Sequence, residues 1–243
     1  MELNILHLYP DSMSLYGEWA NLAILGRHLE ALDVTVTVEK VTCEDTPDFT
    51  RADMIYMGAG TEGAQKAALL DLARHAGELK AAVDRGALLL FTGSAMETLG
   101  ASITDAAGKV WQGLALADFT TVETDKRSPG DVIAASTLWE APAVGFMNKC
   151  SLTHGVTTPL FSSLSLGFGN DQEGGGEGYA SGNVLATHIT GPVLVKNPDF
   201  LDLIIRRLFA AKGWELPEAL PVFPHEREAY EVTLRELKNR IGG

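Results

Sequence analysis

A chain of 243 residues, 46% hydrophobic and 21% charged with 25 glycines, can bury a sizeable core without staples and lies far from the composition of a disordered chain. Its formal net charge of -13 disfavours nucleic acid phosphates and anionic membrane faces as partners, which leaves small molecules and proteins. Two cysteines, Cys43 and Cys150, lie far apart without metal-ligand spacing. Neither a disulfide framework nor a zinc site is expected, and a reducing cytoplasm is the natural home. The opening "MELNILHLYP" has no basic leader, and no window approaches the ~20 apolar residues of a membrane span.

In chain order, "LNILHLYP" is a short apolar run, "GEWANLAILGRHLEAL" sets Trp19, Leu22, Leu25 and Leu29 at helical spacing, and "VTVTVEKV" is β-branched with period two. A strand, "ADMIYMGAG", then leads into "TEGAQKAALLDLARHAGELKAAVDRG", which reads as one helix stopped at Gly86. "LLLFTGSAMETLG" follows, a buried strand, a corner of small residues (Gly93, Ser94, Ala95) and the opening of a helix that ends near Gly100. Such corners hold one side chain above a sheet beside free backbone N–H groups. This half predicts an α/β fold with a doubly wound, mostly parallel sheet flanked by helices, whose ligands gather at the carboxyl ends of the strands.

From 110 to 196 short β-rich pieces ("GLALADFTTVET", "DVIAAST", "APAVGFMN", "GNVLATHITGPVL") are separated by turns and predict extra hairpins; "GNDQEGGGEGY" reads as a mobile loop or hairpin tip. "NPDFLDLIIRRLFAAKG" returns to a helix with Asn197 as its cap, and a Pro-rich connector leads to a final amphipathic helix. No internal repeat is visible. The expected organisation is one domain over 1–212, with 213–243 packed on it.

The segments "LYPDSMSLYGEWANLAILGRHLE", "GAGTEGAQ", "GLALADFTTVETDKR", "GFMNKCSLTHG" and "GFGNDQEGGGEGYASGNVLATHITGPVLVKNPDFLDLII" together resemble, in collinear order, class I glutamine amidotransferases of the cobyric acid synthase type, and among them the amidotransferase subunit of lipid II isoglutaminyl synthase. The resemblance implies the flavodoxin-like class I amidotransferase fold, no cofactor, and a Mur ligase-like synthetase as partner. It also implies glutamine hydrolysis by a cysteine and a histidine. A thiolate is the strong nucleophile an amide demands, and a base must generate it and protonate the departing ammonia.

Here the residue at the family's cysteine position is Gly93 and at its histidine position Thr190. Glu97 stands where the family has Gln, and Met147 and Lys149 replace a carboxylate and an imidazole. Arg127 matches an arginine used on the substrate, and Gly58 and Gly60 match the loop that supplies an oxyanion N–H. Plainer readings stand beside these: Gly93 as a turn glycine at positive φ, Arg127 as a solvated charge in a polar loop, and Cys43 and Cys150 as inert, packed thiols.

Two functions remain open at this level. One is a non-catalytic amidotransferase-like subunit that binds a Mur ligase-like partner, or an amino acid held by Arg127 and the Gly58/Gly60 loop. The other is an amide hydrolase working through a displaced Ser94/His188 pair, with Glu62 or Glu97 as orienting acid, or through a site completed by a partner.

Overall fold

The structure, a computed structural model, describes residues 1–171 and 175–241. The first half builds β1 (Glu2–Leu8), α1 (Ala20–Glu30), β2 (Thr35–Val41), β3 (Met54–Met57), α2 (Glu62–Leu72), α3 (Ala76–Asp84) and β4 (Leu88–Thr92). The second half adds β5 (Ser102–Thr104), β6 (Val110–Gln112), β7 (Thr120–Ala135), β8 (Ala143–His154), β9 (Ser163–Leu166), β10 (Tyr179–Ser181), β11 (Val184–Thr187), α4 (Val193–Lys196), α5 (Pro198–Lys212) and α6 (Pro224–Ile241). The central sheet runs β10-β11-β4-β3-β1-β2, parallel except for β10 at its edge. The expected doubly wound, mostly parallel sheet is present.

The period of two decides which residue feeds which core. Met54, Tyr56, Leu88 and Leu90 pack with α1 and α5 on one face, through Leu22, Leu25, Ile204 and Leu208. Their neighbours Ile55, Met57, Leu89 and Phe91 pack on the other with Leu69, Leu72, Leu79 and Ala82 of α2 and α3. Strands buried on both faces read as continuous apolar runs, which is why "MIYM" and "LLLF" show no alternation.

Four expectations are corrected. The helix expected over 61–86 is broken by a 3₁₀ turn at Ala73–His75, which redirects the chain so that α3 returns to the same core; Gly86, at φ 112°, ends it as expected. The corner at Gly93–Leu99 is a 3₁₀ helix and never becomes an α-helix. Asn197 precedes α5 but does not cap it: its Oδ1 accepts from the Val144 N–H and its Nδ2 donates to the Val144 and Val193 carbonyls, tying β8 to the helix start, while Pro198 occupies the first turn. The end of "GLALADFTTVET", from Thr120, and most of "DVIAAST" belong to one long strand, β7, so Arg127 lies on a bulge between Glu123 and Ser128 and not in a loop. The strand tolerates Pro129 because β8 is its only neighbour there.

The second sheet runs β6-β5-β7-β8, with β9 also on β7, and it leans on the first where Phe146 bridges Thr190. α6 lies against the second sheet and against α1 and α5: the Tyr230 hydroxyl donates to the Pro142 carbonyl at 2.7 Å, Arg227 pairs with Asp199, Arg240 with Asp131, and His28 meets Glu226 at 2.7 Å. No helix among the described residues is long and apolar enough to cross a membrane.

Candidate active site

β3, β4 and β11 all end at one side of the central sheet, and the bulge of β7 and the middle of β8 close over it. Between them lies a cavity of about 230 Å³. At its floor the chain turns through Gly93, whose φ of 60° is the left-handed conformation glycine adopts without strain. A Cβ there would lie 2.4 Å from Ala59 Cβ and 2.8 Å from Thr190 Cγ2. The two positions matched to the family's nucleophile and base are therefore neighbours, and the room for a side chain on Gly93 is already filled.

Glycine at 58 and 60 has a packing reason. A Cβ on Gly58 would come within 2.7 Å of the Met13 carbonyl, and one on Gly60 within 2.2 Å of Met13 Sδ. Gly60 lines the cavity and Gly58 does not. The Gly60 N–H donates to Ser94 Oγ at 3.1 Å, and the Ser94 hydroxyl donates back to the Gly60 carbonyl at 3.0 Å. Ser94 thus clips the two loops together, and the Gly60 N–H is engaged.

His188 follows β11 and lines the same cavity, with 2% of its surface exposed. Its Nδ1 lies 3.0 Å from Glu177 Oε1, a carboxylate that also accepts the His188 backbone N–H and the Thr187 hydroxyl. Its Nε2 has no hydrogen-bond partner and lies 3.7 Å from Glu97 Oε1. Glu97 takes hydrogen bonds from Ser151 Oγ and from Gln65 Nε2, the latter at 2.6 Å. Burial alone would raise the Glu97 carboxyl; the nearby His188 imidazole, with the hydrogen bonds from Ser151 and Gln65, outweighs it and holds it below the usual range. Lys149 Nζ donates to the carbonyls of Gly169 and Asn170, and burial pulls its ammonium down against the attraction of Glu177 and Glu97.

At the rim Arg127 pairs with Glu62, and the Cys150 thiol donates to the same carboxylate at 3.1 Å. Burial first, and then the bond to Glu62, push that thiol up to about 11, so it is not a thiolate at neutral pH. Expected to be packing residues, Cys150 instead lines the cavity and Cys43 is exposed on the surface. Met147 is fully buried in the core, whereas Lys149, two residues on, lines the cavity.

Under the floor lies a second buried acid that the sequence did not suggest. Glu18 accepts from Thr92, from the Tyr56 hydroxyl at 3.1 Å and from the Gly191 N–H at 2.9 Å, and Asn21 completes the group by donating to Tyr56. Burial pushes the Glu18 carboxyl above its usual range despite those bonds. Sequence reading also missed Glu177, Gln65 and Ser151. Glu177 is hidden in the glycine-rich segment taken for a mobile loop; it is fully buried, although residues 172–174 of that segment lie outside the described residues. The available signal was a pair of polar residues, Gln65 and Lys66, inside an otherwise Ala- and Leu-rich helix face. Among the described residues no group of three or more His, Cys, Asp or Glu is arranged to hold a metal ion.

A parallel sheet with a tight glycine corner, a buried histidine and carboxylates at its carboxyl end is the architecture of a glutamine amidotransferase. A solved structure described as a glutamine amidotransferase superposes with a TM-score of 0.53 at 11% identity, covering 86% of this chain and 98% of that one, a likeness of fold. Residues 4–198 match the model of the CobB/CobQ-like glutamine amidotransferase domain, and the chain belongs to that family. Among curated proteins it is similar to the lipid II isoglutaminyl synthase (glutamine-hydrolyzing) subunit GatD of Staphylococcus aureus, 27% identical over 87% of this chain and 86% of the relative. The subunit of the same name from Streptococcus pneumoniae is 29% identical over 81% of this chain and 76% of the relative.

Proposed function

We propose that this chain serves as an amidotransferase-type subunit in the amidation of a lipid-linked peptidoglycan precursor, beside a Mur ligase-like synthetase, without itself hydrolysing glutamine. The likeness to two GatD subunits supports the pathway and the partner. One observation carries the loss of hydrolysis: the corner that would present a nucleophile has no side chain, and Ala59 and Thr190 occupy the space for one. Cys150, the thiol that lines the cavity, is held protonated and bonded to Glu62. What remains is a small polar cavity suited to holding an amino acid or amide, with Arg127 at its rim.

Ammonia release from glutamine, measured on the chain alone and mixed with its Mur ligase-like partner, tests this. The native chain is expected to be silent in both, and a Gly93→Cys/Thr190→His variant that also carries Ala59→Gly, to make room for the new Cβ, is expected to regain turnover. Turnover by the native chain that disappears on Ser94→Ala or His188→Ala would overturn the proposal. It would favour the second reading, a displaced Ser94/His188 pair, for which the motivating observation is the unpartnered Nε2 of His188 facing the cavity that Ser94 also lines.

A further inference from the structure

The deep end and the rim of the cavity carry different charge patterns, and together they describe a ligand. At the deep end Glu177 accepts from the Thr187 hydroxyl and the His188 backbone N–H, and as an acceptor it takes the hydrogen on His188 Nδ1 as well. The neutral ring then has its lone pair on Nε2. That nitrogen has no partner and lies 3.7 Å from Glu97 Oε1, too far for a direct hydrogen bond. His188 is 2% exposed and Glu97 4%, and both line the cavity, so two buried acceptors stand side by side on its wall. One nitrogen carrying several N–H bonds, at about 2.8 Å from each, would satisfy both.

Charge narrows the choice of that nitrogen. The charged groups facing His188 are Glu97 of the corner, Glu177 ahead of β10 and Lys149 of β8, whose Nζ is held by the carbonyls of Gly169 and Asn170. Nearby, Lys66 and Glu123 neutralise each other. Two carboxylates against one ammonium leave the deep end one negative charge while His188 is neutral. At the rim, Arg127 and Glu62 offer one charge of each sign, which suits the carboxylate and α-ammonium of an amino acid. We propose that the cavity takes an α,ω-diamino acid, its terminal ammonium lodged between Glu97 and His188 and its zwitterionic end at the Arg127–Glu62 pair. The proposal rests on the reading of this chain as a subunit that holds an amino acid without hydrolysing glutamine. A terminal amide has N–H groups of the same reach but no charge, and charge-assisted hydrogen bonds are roughly twice as strong as neutral ones. A second proton on His188 would stand where the ligand's ammonium stands, so the two exclude each other and binding weakens as pH falls.

Calorimetry on the full chain near neutral pH tests this, with L-lysine, L-ornithine, norleucine, glutamine and ammonium chloride as probes. The better of the two diamino acids is expected to bind at least about tenfold more tightly than glutamine, than norleucine, which lacks the terminal amine, and than ammonium, which lacks the amino acid end. Glu97→Gln keeps the shape of the wall and removes its charge, and is expected to abolish the preference over glutamine. Should that variant lose its fold, lysine and ornithine titrated against the native chain at falling pH give the same reading through progressive loss of affinity. Glutamine or ammonium bound as tightly as a diamino acid, a preference that survives Glu97→Gln, or affinity that rises as pH falls would each overturn the proposal. Ammonia release from glutamine by the native chain would refute the non-hydrolysing reading alone, whereas silence in that assay with no preference for a diamino acid would refute this proposal alone.

Discussion

Two buried carboxylates flank the Gly93 corner, and they are held in opposite ways. Glu18 lies beneath it among hydroxyls and one backbone N–H, with no cation at hand, and burial raises its carboxyl. Glu97 lies on the cavity side with His188, Ser151 and Gln65, and its carboxyl is lowered. A carboxyl among neutral donors fastens the frame: Glu18 ties β4 and the turn at Gly191 to the start of α1. An ionised carboxylate beside an imidazole with a free nitrogen faces space for a ligand. The corner at Gly93 thus carries no side chain, with a scaffold acid beneath it and a polarised cavity above it.

The largest way to break this comparison is Glu18→Ala. It strips partners from Thr92, Tyr56 and the Gly191 N–H at once, and leaving such groups buried and unpaired is expected to cost about 3 kcal/mol in urea unfolding. Glu18→Gln keeps the shape without a charge to bury and is expected to stay within about 1 kcal/mol of native. Next comes the wall between the acids: Gly93→Cys is expected to cost about 2 kcal/mol from overpacking against Ala59 and Thr190, and Ala59→Gly in the same chain to recover much of it.

Titration sharpens the contrast. A raised native pKa contributes stability that is complete below the unfolded value and lost as pH rises through the native one; a lowered pKa contributes stability present above the unfolded value and lost as pH falls. Unfolding between about pH 3 and pH 8 is therefore expected to show a smaller loss on the neutral side for Glu18→Gln and a smaller loss on the acid side for Glu97→Gln. Like slopes for both variants would mean that the two acids share one environment. The smallest effect is expected at Cys150, where Ser should change stability by no more than about 0.5 kcal/mol. Its alkylation is expected to be slow at neutral pH and to accelerate towards its value of about 11, and fast labelling at pH 7 would contradict the bond to Glu62.

Much of the molecule was legible because local rules sufficed. Apolar runs bounded by glycine placed β3 and β4, and helical spacing placed Leu22, Leu25 and Leu29 of α1. What failed depended on partners distant in sequence. The polar bulge at Arg127 looked like a loop because only pairing with β8 makes it strand, and Asn197 looked like a cap because only the approach of β8 gives its amide a better partner. Glu177 was the most misleading residue. One of three acids in the glycine-rich run GNDQEGGGEGY, it has the surroundings of a mobile loop, and nothing local reveals that it is buried against Thr187 and His188.

By itself the sequence determined the order of the elements, the doubly wound sheet and the absence of thiol and imidazole at positions 93 and 190, because periodicity and residue chemistry are local properties. Tertiary structure alone decided that Ala59 fills the place of the missing side chain, that Ser94 is spent on Gly60, and that one acid is raised while the other is lowered. Sterics and electrostatics act through space, among residues that the chain brings together only by folding.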